Sequence, residues 1–265
     1  MTGILDRLFG AEGKQVVVTG GSRGIGRMIA TAFVEAGATV YISARKAEAC
    51  DEAAAEMSAI EGAGSCVSIP ADLSTPAGVG ALVAAVTEHT DVLHVLVNNA
   101  GATWGAPLDE YPEDAFDKLF NINVKGAFLL TQAFLPALRA AATDDDPARV
   151  INIGSIDGIR TPAMETYAYS TTKAGILALT RHLAKNLVRD KVLVNAIAPG
   201  PFESKMMAFA LGTEEGRDMV AAGVPARRIG QPDDMAAAAL FLAGKGSTYL
   251  VGETIVVDGG IANVG

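Results

Sequence analysis

Seven short runs rich in β-branched residues alternate with longer alanine-rich stretches of helical period, and that alternation restricts the fold more than any other feature. The predicted strands cover 15–19, 39–43, 66–70, 92–97, 149–154, 192–196 and 254–257. Between them fall helical patterns over 26–36, 47–60, 78–89, 114–140, 168–188 and 232–243. Several of the runs are apolar on both faces, as parallel strands covered by helices above and below must be. Short links between β and α units imply right-handed crossovers. The expected fold is therefore α/β, a doubly wound and mostly parallel seven-stranded sheet with helices on both faces. At 265 residues and 50% hydrophobic, the chain suits one domain over 14–265, preceded by a short amphipathic extension over 1–13.

Charge and cysteine usage narrow the partners. A net charge of −9 argues against nucleic acid, whose phosphates need a basic face. Cys50 and Cys66 form no CxxC pair and read as free thiols in a reducing compartment, which makes the cytoplasm the expected location. His89, His94 and His182 have no ligand spacing, so no metal site is expected. No apolar run approaches the ~20 residues that cross a bilayer, so no membrane partner is expected either.

Two stretches break the β/α rhythm. Residues 141–148 hold Asp144, Asp145, Asp146 and Pro147, a polar loop before the fifth strand. Residues 201–224 carry Met206, Met207, Phe209 and Leu211 with no strand pattern. A long excursion of that composition reads as a lid over an apolar ligand.

After the first strand comes Thr19-Gly20-Gly21-Ser22-Arg23-Gly24-Ile25-Gly26, opening the first helix. Glycines there let backbone N–H groups approach a pyrophosphate at the positive helix end. The spacing is G-x-x-x-G-x-G rather than the commoner G-x-G-x-x-G. No acidic residue follows the second strand to accept from a ribose 2′-hydroxyl. Arg45 stands there instead, and with Arg23 it could clamp a 2′-phosphate, which favours NADP(H) over NAD(H).

Tyr169 and Lys173 are four residues apart on a predicted helix, hence on one face. A neighbouring ammonium favours the phenolate and should lower the phenol pKa from ~10. Tyr167 is a decoy, since the residue four positions later is Thr171.

The glycine turn, Asn98-Asn99-Ala100-Gly101, Asn123, Ser155, Tyr169-x-x-x-Lys173, and Pro199-Gly200 followed by Ser204 together resemble the short-chain dehydrogenase/reductase family over nearly the whole chain. That resemblance implies a single-domain Rossmann fold and an oxidoreductase. Ser155 would bond the substrate carbonyl, Tyr169 would exchange the proton, and Lys173 would hold the nicotinamide ribose and depress the Tyr169 pKa. Asn123 would position a water that relays protons to Lys173. Cofactor contacts implied are Gly20, Ser22, Arg23, Gly24, Ile25, Gly26, Arg45, Asp72 at the adenine, Leu73, Asn99, Ala100, Gly101, Pro199, Gly200 and Ser204 at the carboxamide, with Asn98 also lining the channel. Within the family the chain looks most like bacterial 3-oxoacyl reductases of the rhamnolipid-precursor type, with Trp104, Met164, Phe202 and Met207 as an acyl-chain lining. An acyl-carrier protein would be a partner, with Arg189 and Lys191 as basic docking groups, and a homotetramer is expected by analogy. The alternatives are an alcohol, polyol or gluconate-type dehydrogenase, or a silent NADP(H) sensor.

Overall fold

In a computed structural model, which describes residues 3–61 and 64–264, seven parallel strands form one sheet in the order β3-β2-β1-β4-β5-β6-β7. The strands are β1 Gln15–Thr19, β2 Thr39–Ser43, β3 Ser65–Ser68, β4 Val95–Asn98, β5 Ala148–Ile153, β6 Val192–Pro199 and β7 Thr254–Val257. The helices are α1 Ile4–Phe9, α2 Gly24–Glu35, α3 Ala47–Ser58, α4 Pro76–Thr87, α5 Glu113–Phe120, α6 Gly126–Ala141, α7 Tyr167–Leu187, α8 Ala208–Leu211, α9 Glu214–Ala222 and α10 Pro232–Ala243. Alternate residues of β1 serve opposite faces, the period-2 consequence of the pleat. Val16 and Val18 pack with α2, α3 and α10, while Val17 packs with α4, α6 and the far end of α7. Both faces are thus dry. The chain crosses from β3 over β2 and β1 to β4, so the switch point of the sheet lies above the carboxyl ends of β1 and β4.

Several boundaries differ from the sequence expectation, among them the fifth strand at 148–153 rather than 149–154 and the sixth at 192–199 rather than 192–196. The third strand runs 65–68 rather than 66–70, because Pro70 has no N–H to continue the ladder. The fourth runs 95–98 rather than 92–97, since Leu93 N–H is drawn to the Ala137 carbonyl at 3.0 Å. The helix expected over 114–140 is interrupted by a π turn, Asn121–Lys125, which separates α5 from α6 and carries Asn123. Such turns tend to mark functional sites.

Within the N-terminal extension, residues 1–2 lie outside the described residues, while α1 lies against the end of α10, with Phe9 and Phe241 rings 6.2 Å apart. Below the sheet, at the amino ends of the strands, Lys14 Nζ pairs with Asp146 at 2.7 Å and donates to the Ala243 carbonyl at 3.4 Å. Arg149, 1% exposed, donates to the Gly244 carbonyl at 3.1 Å, to Pro147, and to Asp146 at 3.4 Å. Two cations thereby meet the negative end of α10. The polar loop at 141–148 supplies their carboxylate, Asp146. Cys50 and Cys66 are buried, and burial pushes the Cys66 thiol up to about 12, so both are inert packing groups. No helix of the described residues is long and apolar enough to cross a membrane.

Candidate active site

Above the carboxyl ends of β1, β4, β5 and β6 opens a cleft of about 1380 Å³. Its floor is the glycine turn. Gly20 and Gly24 have φ of +68° and +54°, where a side chain is strained. At Gly26 an added Cβ would sit 2.3 Å from the Gly20 carbonyl oxygen and 2.4 Å from Asn99 Nδ2. Asn99 Nδ2 donates to the Thr19 carbonyl at 2.8 Å, and Thr19 Oγ1 accepts from the N–H groups of Asn99 and Ala100, each at 2.9 Å. The glycine turn and the Asn98–Gly101 segment are therefore one unit, a concave backbone surface suited to a pyrophosphate at the start of α2. Thr19 is its overlooked keystone, and the only sequence signal was its place immediately before Gly20.

Along one arm of the cleft lie Ser22, Arg23, Ile25, Arg45, Asp72 and Leu73. Arg23 and Arg45 are exposed, and neither forms an ion pair among the described residues, although Arg27 beside them is tied to Glu56. Two bonds from Ser74, and then the nearby Arg45 guanidinium, hold the Asp72 carboxyl below its usual range. Asn98 departs from expectation. It is buried beneath the cleft, donating to Asn152 at 2.9 Å and Thr131 at 3.3 Å, while its own Oδ1 has no partner among the described residues. It braces β4 against β5, and it borders a small pocket of about 10 Å³ rather than the channel.

Ser155, Tyr169 and Lys173 share the opposite wall. Ser155 follows β5 in an extended conformation, its Oγ accepting from the Asp157 N–H at 3.1 Å. Tyr169 and Lys173 project from the first turns of α7, and Lys173 Nζ lies 5.7 Å from the Tyr169 ring centroid. Lys173 is buried, and its ammonium donates to the Ile153 carbonyl at 2.8 Å. Burial pushes its pKa down to about 8. The Tyr169 phenol behaves contrary to expectation. Burial pushes it up to about 12, against the opposing pull of the Ser155 hydroxyl and reinforced by Asp157. Desolvation of the phenolate outweighs the Ser155 hydrogen bond, which lowers the pKa.

Asn123 is bonded to the 102–107 loop and to α7. Its Oδ1 accepts from Ala102 N–H at 2.9 Å, and its Nδ2 donates to the Ala102 carbonyl at 3.0 Å and to Thr172 Oγ1 at 2.9 Å. Both amide hydrogens are thus bonded to protein. The π turn aims this side chain between the 102–107 loop and α7. Thr172 escaped sequence reading, because a threonine inside a helix carries no pattern.

On the substrate side, Trp104, Met164 and Met207 line the cleft with solvent access, joined by Met206 and Phe209. Phe202 also touches it, but is a core residue. It is 2% exposed, bridged to Gly230, and its ring fills the space a Cβ at Gly230 would need. The segment over 201–224 is helical, comprising Lys205–Met207, α8 and α9. Ser204 caps its first turn and packs against Gly24, whose added Cβ would lie 3.2 Å away. Pro199 and Gly200 line the same wall. The basic groups found here are Lys118, Arg160 and Lys205, accompanied by Asp157 and Glu165. Of the anticipated docking pair, Lys191 is bound to Asp144 at 2.8 Å, and Arg189 lies outside the cleft.

A model described as enoyl-(acyl carrier protein) reductase matches residues 20–262. The rhamnolipids biosynthesis 3-oxoacyl-[acyl-carrier-protein] reductase of Pseudomonas aeruginosa is 46% identical over 252 residues, covering 95% of this chain and 97% of the relative. Sorbitol dehydrogenase of Cereibacter sphaeroides is 35% identical, over 94% of this chain and 97% of its own. Among solved structures, the Pseudomonas aeruginosa RhlG/NADP active-site complex superposes with a TM-score of 0.93 at 45% identity, covering 97% of this chain and 99% of that one. With the parallel sheet, the glycine turn and the Ser155, Tyr169 and Lys173 wall, these matches place the chain in the short-chain dehydrogenase/reductase family.

Proposed function

We propose that this protein reduces the keto group of a 3-oxoacyl thioester to a 3-hydroxyl, using NADPH. The observation that carries the reading is the meeting of Ser155, Tyr169 and Lys173 on one wall of a cleft floored by the glycine turn. When bound, the dinucleotide supplies a hydride from its nicotinamide C4. The substrate carbonyl carbon gains that hydride, its oxygen gains a proton, and no other bond breaks. The Ser155 and Tyr169 hydroxyls hold the oxygen, and Tyr169 gives the proton. A phenol raised by burial carries its proton at neutral pH, as a general acid for reduction must. Lys173, near 8, is able to return a proton to Tyr169, besides holding the ribose. Asn123 keeps the 102–107 loop and α7 in register.

Arg23 and Arg45 bind the 2′-phosphate, Asp72 the adenine amine, and Ser204 the carboxamide. Leu73, Asn99, Ala100, Gly101, Pro199 and Gly200 complete the cofactor walls. The 201–224 lid covers the acyl chain with Met207 and Phe209 opposite Trp104 and Met164. The thioester class follows the Pseudomonas relative, whose printed name specifies a 3-oxoacyl group on acyl-carrier protein. Lys118, Arg160 and Lys205 at the cleft give an acidic carrier protein a local basic face on an acidic chain. A homotetramer would cover Phe116, Phe120 and Phe128, exposed along α5 and α6. Buried free thiols fit a cytoplasmic setting.

A second reading, oxidation of a polyol or sugar acid, draws on the sorbitol dehydrogenase relative and on Thr103, Arg160, Glu165 and Thr166 in the cleft. The two separate in one experiment. NADPH oxidation with acetoacetyl thioester is expected to be fast, and NADP⁺ reduction with sorbitol or gluconate slow. The reverse ranking would overturn the proposal. Tight NADPH binding with silence toward every substrate would point to a sensor.

A further inference from the structure

Tyr111 lies outside the cleft lining, immediately before α5, yet it joins three parts of the site. Its hydroxyl donates to the Trp104 carbonyl at 3.3 Å and accepts from the Ala168 N–H at 3.2 Å. Its ring meets Tyr167 edge-on with centroids 5.4 Å apart, and Phe116 at 5.7 Å. Ala168 is in the first turn of α7, where N–H groups have no helical partner. The residue that should cap that turn, Thr166, makes no side-chain cap bond. The Tyr111 oxygen therefore does an N-cap's work from a distant segment.

The consequence lies in what the same hydroxyl holds at its other side. The 102–107 loop carries Trp104 into the substrate half of the cleft. Asn123 pins that loop at Ala102 and reaches Thr172 of α7. Tyr111 pins it at Trp104 and reaches Ala168. Between the two anchors lies Tyr169, one residue after Ala168 and three before Thr172. The loop and the catalytic helix are fastened at two points one turn apart, so the distance from Trp104 to the Tyr169 hydroxyl is set by both.

We propose that Tyr111 is a positioning residue for the reaction, fixing the Trp104 wall of the substrate pocket against the first turn of α7. The inference rests on the function proposed above. Tyr111→Phe tests it, because the ring and its packing on Phe116 and Tyr167 are kept while both hydrogen bonds go. Losing them should raise KM for the 3-oxoacyl thioester about two- to tenfold and lower kcat several-fold, with NADPH affinity unchanged within about twofold. Trp104 is the only tryptophan, so its fluorescence anisotropy reports this loop alone and should fall in the variant. Unchanged KM together with unchanged Trp104 anisotropy would overturn the proposal. So would an equal loss of NADPH affinity with a lowered Tm, which is general loosening. If wild-type protein reduces no 3-oxoacyl thioester, the proposed function fails, while the anisotropy of the variant still judges the Tyr111 link.

Discussion

Two buried lysines, at opposite ends of one sheet, divide the scaffold of this protein from its working edge. Lys14 lies below the strands, where burial lowers its pKa and Asp146 at 2.7 Å opposes that shift. Lys173 lies above them, where its one hydrogen bond among the described residues is to the Ile153 carbonyl at 2.8 Å, and burial carries it down to about 8. The first is a fastener whose charge is matched. The second is held charged or neutral by a narrow margin, beside a phenol and a cleft. A buried cation with a carboxylate stabilises an arrangement, and one without it is available for chemistry.

That contrast can be broken by substitution. Tyr169→Phe should lose about 10²–10⁴ in kcat while still binding NADPH, the loss expected of a well-placed general acid. Near-normal turnover would remove the upper end's chemistry from Tyr169. Asp146→Asn should instead spare kcat and cost about 3 kcal/mol or more, because it strands Lys14 and the buried Arg149 without an anion. A chemical-denaturation midpoint equal to wild type would mean that the lower cluster fastens nothing. Arg45→Ala should weaken NADPH about tenfold or more and leave NADH nearly unchanged. Equal losses for both cofactors would make Arg45 a structural residue.

The subtlest test concerns Lys173 itself. It titrates near 8 in the fold and near ~10.4 in an unfolded chain, so between those values the unfolded state binds more protons. Stability from this group must then rise with pH across that window. Lys173→Met, which buries no charge, should exceed wild type in Tm by most at pH 7, with the gap closing toward pH 10. A gap independent of pH would show that Lys173 keeps its proton throughout.

Much of this was legible in the sequence because it rests on local pattern. Strand alternation gave all seven strands, and the glycine spacing and the i, i+4 pair marked both walls of the cleft. What escaped reading depends on distant contacts. Phe202 looks like pocket lining until Gly230, 28 residues later, proves to be its seat. Asn98 looks like cofactor lining until Asn152 and Thr131 claim it. The Tyr169 pKa shifts upward because burial, which no spacing encodes, outweighs the Ser155 hydrogen bond that lowers it. The π turn at Asn123 left no mark in a helical period that continues on both sides of it.

The central claim is that the Ser155 and Tyr169 hydroxyls serve a keto oxygen. The family model's description names an enoyl substrate instead, which makes the test sharp. Offered a mixture of 3-oxoacyl and 2-enoyl thioesters with NADPH deuterated at the transferable position of C4, the enzyme should consume the former. Deuterium should appear on the carbinol carbon of a 3-hydroxyacyl product. A saturated acyl product carrying the label, with the 3-oxoacyl thioester untouched, would contradict the account.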